Sequence, residues 1–523
     1  MNSALRRHQS QWRCVLSRLS KRILVVAAFA FFLTPNPAAA AACEDLAALR
    51  LPDTTITLAE QVAAGAFAPP AQGRGGGARG GAPFSDLPAF CRVAATLRPS
   101  SDSDIKIEVW MPASGWNGKF LANGNGGWSG AISPATLATG LRRGYATAMT
   151  DTGHEGGSGS FALGHPEKLI DFAYRAVHEM TVKSKAIIAA YYGAGPKLSY
   201  WNGCSSGGKQ GLKEAQRYPE DYNGIIAGAP ANYWTHLTAQ SIAVALAVHK
   251  DEASYIPPNK YSTIHNAVIE MCDARDGVKD RVIENPAQCK FDPGVLQCKG
   301  ADGADCLTAP QVEAARKIYG PVVNPRTKQQ VFPGLSPGSE LGWGFLAGPQ
   351  PTALATDHWK YVVYKDPNWD YRTLNFDSDI ALADKIDNGM INAIDPDLSA
   401  FFGRGGKLLQ YHGWSDPLIP AQNSIDYYVS VVEKLGGAAK VHDSYRLFMA
   451  PGVNHCTGGE GPSNFDMLGA LEQWVEQGKA PDRIIASRTV NGATRTRPLC
   501  PYPQVATYTG TGSTDDAANF VCR

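Results

Sequence analysis

The sequence GCSSGG at residues 203–208 decides the fold prediction. The apolar run LSYW at residues 198–201 precedes it, and a helix-like segment at residues 209–218 follows it. A strand, a tight turn that carries a serine and then a helix form the context in which G-x-S-x-G indicates a nucleophile elbow. The flanking glycines would allow a strained turn and close packing of the helix. The stretch therefore predicts that Ser205 stands exposed on a sharp turn, with a plain glycine–serine loop as the alternative.

Strand and helix patterns alternate on both sides of this turn. The segments with strand patterns are residues 105–110, 119–122, 145–150, 198–201, 224–228, 407–411 and 445–449. The segments with helical patterns are residues 167–192, 209–218, 424–435 and 466–477. Alternation of this kind implies an α/β fold with a mostly parallel sheet. The pattern stops between residues 233 and 400, which are rich in Pro, Trp and Tyr and predict an inserted lid domain. Residues 43–232 and 401–523 would then form the catalytic domain.

A serine nucleophile needs a histidine base, and a buried carboxylate must orient that base. Asp416 and His455 each follow a predicted late strand, where a parallel sheet places its functional loops. The order Ser205, Asp416, His455 is that of the triad in α/β-hydrolases. We therefore predict an α/β-hydrolase with this triad. The alternatives are that Asp416 only initiates a turn before Pro417, that His455 is a structural loop residue, and that His412 is the base.

The tetrahedral oxyanion of acyl transfer needs two backbone N–H donors. We expect one from Ser206, directly after the nucleophile, and the other from Gly127 or Gly126 in a glycine turn after an early strand. The alternative is that this turn only ends the strand. His412 and Trp414 lie close in sequence to the predicted acid and are candidates for substrate contact, with packing as the alternative.

Residues 1–42 read as a secretory signal peptide. A basic segment precedes the apolar core at residues 23–33, and an alanine run at residues 38–42 follows. The core is too short for a permanent transmembrane helix. We expect a secreted or periplasmic protein that leaves the membrane after cleavage, with a lipid-modified Cys43 as the alternative. The formal net charge of +1 provides no basic surface for nucleic acid.

The sequence has 11 cysteines, and only Cys14 lies in the signal segment. The ten cysteines after the signal segment are an even number, and an even number of cysteines in an oxidising compartment implies disulfides. No C-x-x-C pair occurs, and the spacings fit no zinc site. Cys204 precedes the predicted nucleophile and Cys456 follows the predicted base, so a bridge between them would join these two loops. The alternative is that each pairs elsewhere.

The chain resembles the tannase and feruloyl esterase family of secreted α/β-hydrolases. The family is marked by a Cys-Ser, Asp, His-Cys constellation, which residues 204–205, Asp416 and residues 455–456 match. The sequences GNGG at residues 124–127 and DTGH at residues 151–154, with the large lid, extend the resemblance over the mature chain. The family's cysteine pattern implies the bridges Cys43–Cys91, Cys204–Cys456, Cys272–Cys289, Cys298–Cys306 and Cys500–Cys522.

The resemblance implies a secreted serine carboxylesterase that hydrolyses esters of aromatic acids. Feruloyl esters are the first expectation, galloyl esters the second and a terephthalate monoester the third. The terephthalate monoester is disfavoured because no Lys or Arg lies between Lys328 and Lys360 to bind its free carboxylate. The expected partner is a small aromatic ester, free or attached to a plant polysaccharide or polyphenol, and the expected assembly is a monomer or dimer. Alternatives of other classes are a non-catalytic binding protein on this scaffold and an amidase or peptidase.

The segment DARDGVKDRV at residues 273–282 places aspartates around a glycine. Carboxylate and carbonyl oxygens are the ligands that Ca²⁺ takes, although this spacing is not that of an EF-hand. Composition alone favours a solvated acidic turn. The resemblance instead implies a structural calcium ion in the lid, with ligands from the side chains of Asp273, Asp276 and Asp280 and the carbonyls of Val278 and Val282.

Overall fold

The computed structural model describes residues 41–69 and 84–523. All but the last two residues of the predicted signal peptide, residues 1–42, lie outside the described residues, so the signal peptide stays a prediction. Residues Ala40–Arg523 form one compact unit. In the described part of the chain, no helix is long and apolar enough to cross a membrane.

A nine-stranded sheet forms the centre of the fold, in the order β1-β2-β3-β5-β4-β6-β7-β10-β11. The strands are β1 (Thr54–Val62), β2 (Phe90–Leu97), β3 (Ile105–Pro112), β4 (Lys119–Asn123), β5 (Ala146–Thr150), β6 (Leu198–Cys204), β7 (Gly224–Gly228), β8 (Val322–Val323), β9 (Gln330–Phe332), β10 (Lys407–Gly413), β11 (Tyr445–Ala450), β12 (Ile484–Val490), β13 (Ala493–Leu499), β14 (Ala506–Tyr508) and β15 (Phe520–Cys522). In this order, the neighbouring strands along β5-β4-β6-β7-β10-β11 pair in parallel. The neighbouring strands along β1-β2-β3-β5 pair antiparallel. The prediction of a mostly parallel sheet is confirmed.

Helices cover the sheet. They are α1 (Pro134–Arg142), α2 (Pro166–Ile170), α3 (Ala176–Tyr192), α4 (Ser206–Arg217), α5 (Trp234–Val248), α6 (Tyr261–Cys272), α7 (Ala309–Tyr319), α8 (Ala353–Asp357), α9 (Ser378–Asp387), α10 (Ser399–Gly403), α11 (Gln422–Lys434), α12 (Ala438–Val441) and α13 (Met467–Gln477). A π-helical stretch, Asp171–Arg175, joins α2 to α3. The predicted helix at residues 167–192 is therefore helical throughout, with a change of helix type inside it.

Successive residues of the central strands point to opposite faces of the sheet, and both faces are buried. Trp201 of β6 belongs to one apolar cluster with Met180 of α3. Its neighbour Tyr200 belongs to another cluster, with Leu471 and Trp474 of α13. The near-continuous apolar runs of these strands follow from this double coverage.

The segment between β7 and β10 contributes no strand to the nine-stranded sheet in the described chain. It carries α5 to α10 and the two-stranded sheet β8–β9. Two disulfides, Cys272–Cys289 and Cys298–Cys306, lie within it. Because it leaves the sheet at the carboxyl end of β7, it lies at the edge where β6, β10 and β11 also end. Its limits as a separate lid domain stay a prediction.

The other three predicted bridges are also present. Cys43–Cys91 joins the N-terminal segment to β2. Cys500–Cys522 joins the end of β13 to β15. Cys204–Cys456 joins two loops at the carboxyl edge of the sheet.

Candidate active site

Ser205 stands between the end of β6 and the start of α4, with a φ of 64° and a ψ of −124°. A residue with a side chain rarely adopts a positive φ, and such strain persists only where neighbours hold it. Here the N–H of Ser205 donates to the carbonyl of Gly228 at 2.9 Å, and its own carbonyl accepts from the N–H of Ala231 at 3.1 Å. The turn therefore has the strand–turn–helix geometry of a nucleophile elbow.

Glycines are required around the elbow because backbones approach closely there. A Cβ on Gly208 would lie 2.4 Å from the carbonyl oxygen of Gly228. A Cβ on Gly124 would lie 2.4 Å from the Cα of Gly207. Helix α4 therefore packs directly against the end of β7 and against the glycine turn that follows β4.

Asp416 and His455 form a close pair in the loops after β10 and β11. The Nδ1 of His455 lies 2.6 Å from the Oδ2 of Asp416. The other oxygen of Asp416 accepts the backbone N–H groups of Leu418 at 2.8 Å and Ile419 at 3.0 Å. The acid is thus fixed by the backbone and directed at the imidazole.

The charges of the two groups support each other. Burial alone would raise the pKa of Asp416, but His455 and His412 bring it well below its ordinary value. Burial alone would lower the pKa of His455, but the Asp416 carboxylate raises it above its ordinary value. The carboxylate is therefore ionised at neutral pH and stabilises a proton on His455.

His412 is a second histidine on the same carboxylate. Its Nε2 lies 3.1 Å from the Oδ2 of Asp416 and 3.0 Å from the carbonyl of Ile419. Its Nδ1 lies 2.7 Å from the Oγ of Ser424. With Nε2 protonated, His412 donates to Asp416 and accepts from Ser424. The four-residue spacing of His412 and Asp416 was visible in the sequence, but Ser424 had no signal of its own.

The placement of His412 and Trp414 disagrees with the expectation that they contact the substrate. The side chain of His412 has no exposed surface. Trp414 is buried among Ala421, Ile425 and Leu447. The packing alternative therefore describes both residues, and His412 contacts the predicted acid instead of acting as a rival base.

The disulfide Cys204–Cys456 links the elbow to the histidine loop. The two Cα atoms lie 6.0 Å apart. Ser205 follows the first cysteine directly, and His455 precedes the second. Cys456, like Ser205, has a positive φ, of 65°. The elements that present the predicted nucleophile and base are therefore covalently joined.

The glycine turn after β4 lies beside the start of α4. The Oγ of Ser206 donates to the carbonyl of Gly127 at 2.9 Å. Gly127 has a φ of 52°, and a Cβ on it would lie 3.0 Å from a methyl group of Leu354. A Cβ on Gly126 would meet nothing within 4 Å. The predicted donors Ser206, Gly127 and Gly126 are thus brought together at a helix N-terminus, which favours negative charge.

The segment between β7 and β10 covers this turn. The indole N–H of Trp128 donates to the carbonyl of Leu354 at 3.0 Å. The Oδ2 of Asp357 accepts from the hydroxyl of Ser158 at 2.7 Å and from the N–H of Gly159 at 2.9 Å. Helix α8 is thereby held over the loops of the core beside the elbow.

A cavity of about 210 Å³ lies next to the acid and histidine loops. Its lining includes Ser415 and Asn454, the neighbours of the predicted acid and base, and the apolar side chains of Ile269 and Leu341. A larger cavity of about 700 Å³ lies between α5 and α7. None of the predicted triad residues lines either cavity, but the smaller one is adjacent to the acid and histidine loops.

The predicted calcium ligands form a compact loop. Asp273 is buried and accepts the N–H groups of Asp280 at 3.2 Å and Arg281 at 3.0 Å. Asp276 accepts the N–H of Val278 at 2.9 Å, and Asp280 accepts that of Val282 at 3.1 Å. These bonds turn the chain around the aspartates.

The acids of this loop are crowded, and two arginines balance part of their charge. The guanidinium groups of Arg497 and Arg495 both contact the Oδ2 of Asp280, that of Arg495 at 3.4 Å. Burial, followed by the charges of Asp280 and Asp273, raises the pKa of Asp276 to about 6. Burial also raises the pKa of the nearby Glu284 to about 8. Such crowding of acids fits a cation. The carboxylate oxygens of Asp273, Asp276 and Asp280 do not all lie within 4.8 Å of one another in the described structure. Carbonyl oxygens would therefore have to complete the coordination of a calcium ion.

Comparison with known proteins places this architecture in a family. The family model described as "Tannase and feruloyl esterase" matches residues 91–523. An uncharacterized esterase of Xanthomonas campestris pv. campestris is 39% identical, over 97% of this chain and 95% of its own length. A probable feruloyl esterase B-2 of Neosartorya fischeri is 37% identical, over 83% of this chain and 86% of its own length.

Solved structures give the same result. The crystal structure of feruloyl esterase B from Aspergillus oryzae superposes with a TM-score of 0.86 at 32% identity, over 92% of this chain and 99% of that chain. Tannin acyl hydrolase from Aspergillus niger superposes with a TM-score of 0.75 at 23% identity, over 90% and 92% of the two chains, and shares the fold. The chain therefore belongs to the tannase and feruloyl esterase family and is a carboxylic ester hydrolase with an α/β-hydrolase architecture.

Proposed function

We propose that this chain is a serine esterase that cleaves esters of aromatic acids, and feruloyl esters in preference to others. Ser205 is the nucleophile, His455 the general base and Asp416 the acid that orients it. The observation that carries this proposal is the 2.6 Å contact of His455 with Asp416, joined to the strained Ser205 turn through the Cys204–Cys456 bridge.

The reaction proceeds through an acyl-enzyme. The Oγ of Ser205 attacks the ester carbonyl carbon while the Nε2 of His455 takes the hydroxyl proton. The imidazolium is stabilised by the Asp416 carboxylate, which its low pKa keeps ionised. His455 then gives the proton to the leaving alcohol as the ester C–O bond breaks. Water, deprotonated by His455, attacks the acyl group and releases the acid and Ser205.

The N-terminus of α4 stabilises the tetrahedral oxyanion. The backbone N–H of Ser206 supplies one donor, and that of Gly127 or Gly126 supplies the other. The bond from the Ser206 hydroxyl to the Gly127 carbonyl supports this pairing, since it holds the two donors on adjacent segments.

The relatives support a hydroxycinnamoyl ester as the preferred substrate. The relative from N. fischeri is named a probable feruloyl esterase, and the A. oryzae structure is titled feruloyl esterase B. A small aromatic ester, free or attached to plant polysaccharide or polyphenol, is the corresponding substrate class.

A substrate panel tests this preference. We expect kcat/KM for methyl ferulate to exceed that for methyl gallate and for a terephthalate monoester by at least about tenfold. A reversed order would replace the feruloyl assignment with a galloyl or terephthaloyl one. A nitroanilide of ferulic acid serves as the amide control, and faster cleavage of the amide than of the ester would favour an amidase.

We further propose that the loop at residues 273–282 binds a structural calcium ion, with oxygens from Asp273, Asp276, Asp280, Val278 and Val282. Bound calcium would neutralise the crowded carboxylates and hold the loop that the Cys272–Cys289 disulfide encloses. Chelation should lower the melting temperature by several degrees, and Ca²⁺ but not Mg²⁺ should restore it. Asp276→Asn should lose this response. A melting temperature that ignores the chelator would argue against the site.

We also propose that residues 1–42 direct export and are then removed. The five disulfides support an oxidising compartment, secreted or periplasmic. N-terminal sequencing of the exported protein should begin close to Cys43. A mature chain that retains the arginines of the first 22 residues would contradict this.

A further inference from the structure

A buried cluster on α3 and α4, outside the active site, carries three metal-ligating side chains. They are His178 of α3, Glu214 of α4 and Asp221 in the turn after α4. One ligand atom from each lies within 4.8 Å of the other two. The Nδ1 of His178 lies 2.7 Å from the Oδ2 of Asp221. Neither the proposed reaction nor the calcium loop uses any of these residues.

Glu214 is the anomaly that points to a ligand. Its side chain is almost entirely buried, with 1% exposure. In the described part of the chain, neither of its carboxylate oxygens has a hydrogen-bond partner. A buried ionised carboxylate without partners is strongly destabilising, and native proteins rarely keep one. The group therefore needs either a proton or a cation.

Asp221 is a second buried acid beside Glu214. The charged and titratable groups that face Glu214 are His178 and Lys185 from α3, and Glu220, Asp221 and Tyr222 from the segment after α4. A divalent cation would compensate both carboxylates.

The donor set selects the kind of cation. Imidazole nitrogens and carboxylate oxygens are both ligand types that Zn²⁺ accepts, at about 2.0–2.2 Å. Ca²⁺ takes six to eight oxygens and does not favour imidazole. The side chain of His178 is 24% exposed, so an ion has a path from solvent.

We propose that His178, Glu214 and Asp221 form a second metal site, which binds a divalent transition metal of the zinc type. The ion would join α3 to the C-terminal end of the elbow helix, α4. Lys185 opposes it, with its Nζ 3.9 Å from an oxygen of Asp221.

The other three-residue group of this kind in the described chain does not support a site. It consists of Cys298, Asp302 and Cys306. Its two cysteines form a disulfide, whose sulfurs are not thiolate ligands.

Calorimetric titration of the folded protein with Zn²⁺, at saturating Ca²⁺, tests the proposal. We expect one zinc per chain. Both Glu214→Gln and His178→Gln should weaken binding at least about tenfold.

His442→Gln is the matched control, because His442 is an exposed histidine whose Nδ1 lies 3.2 Å from Asp443. This variant should bind zinc as the wild type does. Circular dichroism and turnover of a nitrophenyl ester, both measured without zinc, check that each variant is folded. If Glu214→Gln fails to fold, the part-exposed His178→Gln decides alone. No zinc binding, or binding that survives in His178→Gln, would overturn the proposal.

Discussion

Cys204 and Cys456 are bonded to each other although 252 residues separate them in sequence. Cys204 is the last residue of β6 and Cys456 follows β11, and β7 and β10 lie between these strands in the sheet. No backbone ladder therefore joins the two loops directly. The disulfide is the covalent link that fixes the predicted nucleophile relative to the predicted base.

Removal of this bridge should harm turnover more than stability alone explains. We expect the double variant Cys204→Ser, Cys456→Ser to lose about 10- to 100-fold in kcat, because small misplacements of reacting groups are costly. Its free energy of unfolding should fall by about 2–5 kcal/mol. Steady-state kinetics well below the melting temperature separate the two effects. The control is Cys500→Ser, Cys522→Ser, which should keep the wild-type kcat. Equal kcat values in both double variants would contradict the role given to the bridge.

His412 should act through Asp416 as a positioning residue. Loss of its hydrogen bond in His412→Leu should lower kcat about tenfold and leave KM nearly unchanged, since a bond to a charged group is worth about 1.5–3 kcal/mol. His412→Gln can still donate and should recover part of the loss. Trp414→Phe is the packing control and should keep kcat. A rise in KM alone would instead indicate a substrate contact.

The pH dependence of kcat/KM should report His455. The base works only when it is neutral, and Asp416 raises its pKa above the ordinary 6.5. The rate should therefore rise with pH, with a midpoint above 6.5. Asp416→Asn should lower that midpoint and reduce kcat by about 10⁴-fold. If Asp416→Asn leaves the midpoint unchanged, a group other than His455 controls the rise of kcat/KM with pH.

His265 should make stability fall at high pH. It lies 2.8 Å from Glu340 and 2.6 Å from Glu460, joining α6 to the loop after His455. Burial opposes its charge, but the two glutamates raise its pKa from 6.5 to about 9. The stabilisation is complete below pH 6.5 and is lost as the pH rises through 9.

We expect His265→Gln to lose about 2 kcal/mol of unfolding free energy at pH 6, after allowance for solvent screening, and the difference from wild type to shrink towards pH 10. Denaturant unfolding at both pH values measures this. His442→Gln, at an exposed site, should show no such trend. A difference that stays constant with pH would mean that the charge of His265 is not what stabilises the protein.

The sequence was sufficient for the parts of the site that depend on order and period. The strand before Ser205, the two late strands before Asp416 and His455, and the parallel sheet all follow from apolar runs and the Ser-Asp-His order. The five disulfide pairings came from the family resemblance, because spacing alone leaves many pairings open.

Contacts between distant segments had no local signal. The sequence left substrate contact and packing open for His412, and the structure buries it against Asp416 and Ser424. The unpartnered carboxylate of Glu214 could not be predicted either, because in the sequence Glu214 looks like an ordinary charged residue of a helix. Only the packing of α3 against α4 shows that this acid is buried.

The most direct measurement is kcat/KM for methyl ferulate in Ser205→Ala and Ser206→Ala. The hydroxyl groups of the two adjacent serines have different roles. The hydroxyl of Ser205 attacks the ester, whereas that of Ser206 donates to the carbonyl of Gly127. The backbone N–H of Ser206 is retained when alanine replaces it. We predict a loss of at least about 10⁴-fold for Ser205→Ala and no more than about tenfold for Ser206→Ala. Near wild-type turnover in Ser205→Ala, with both variants folded, would contradict the assignment of Ser205 as the nucleophile.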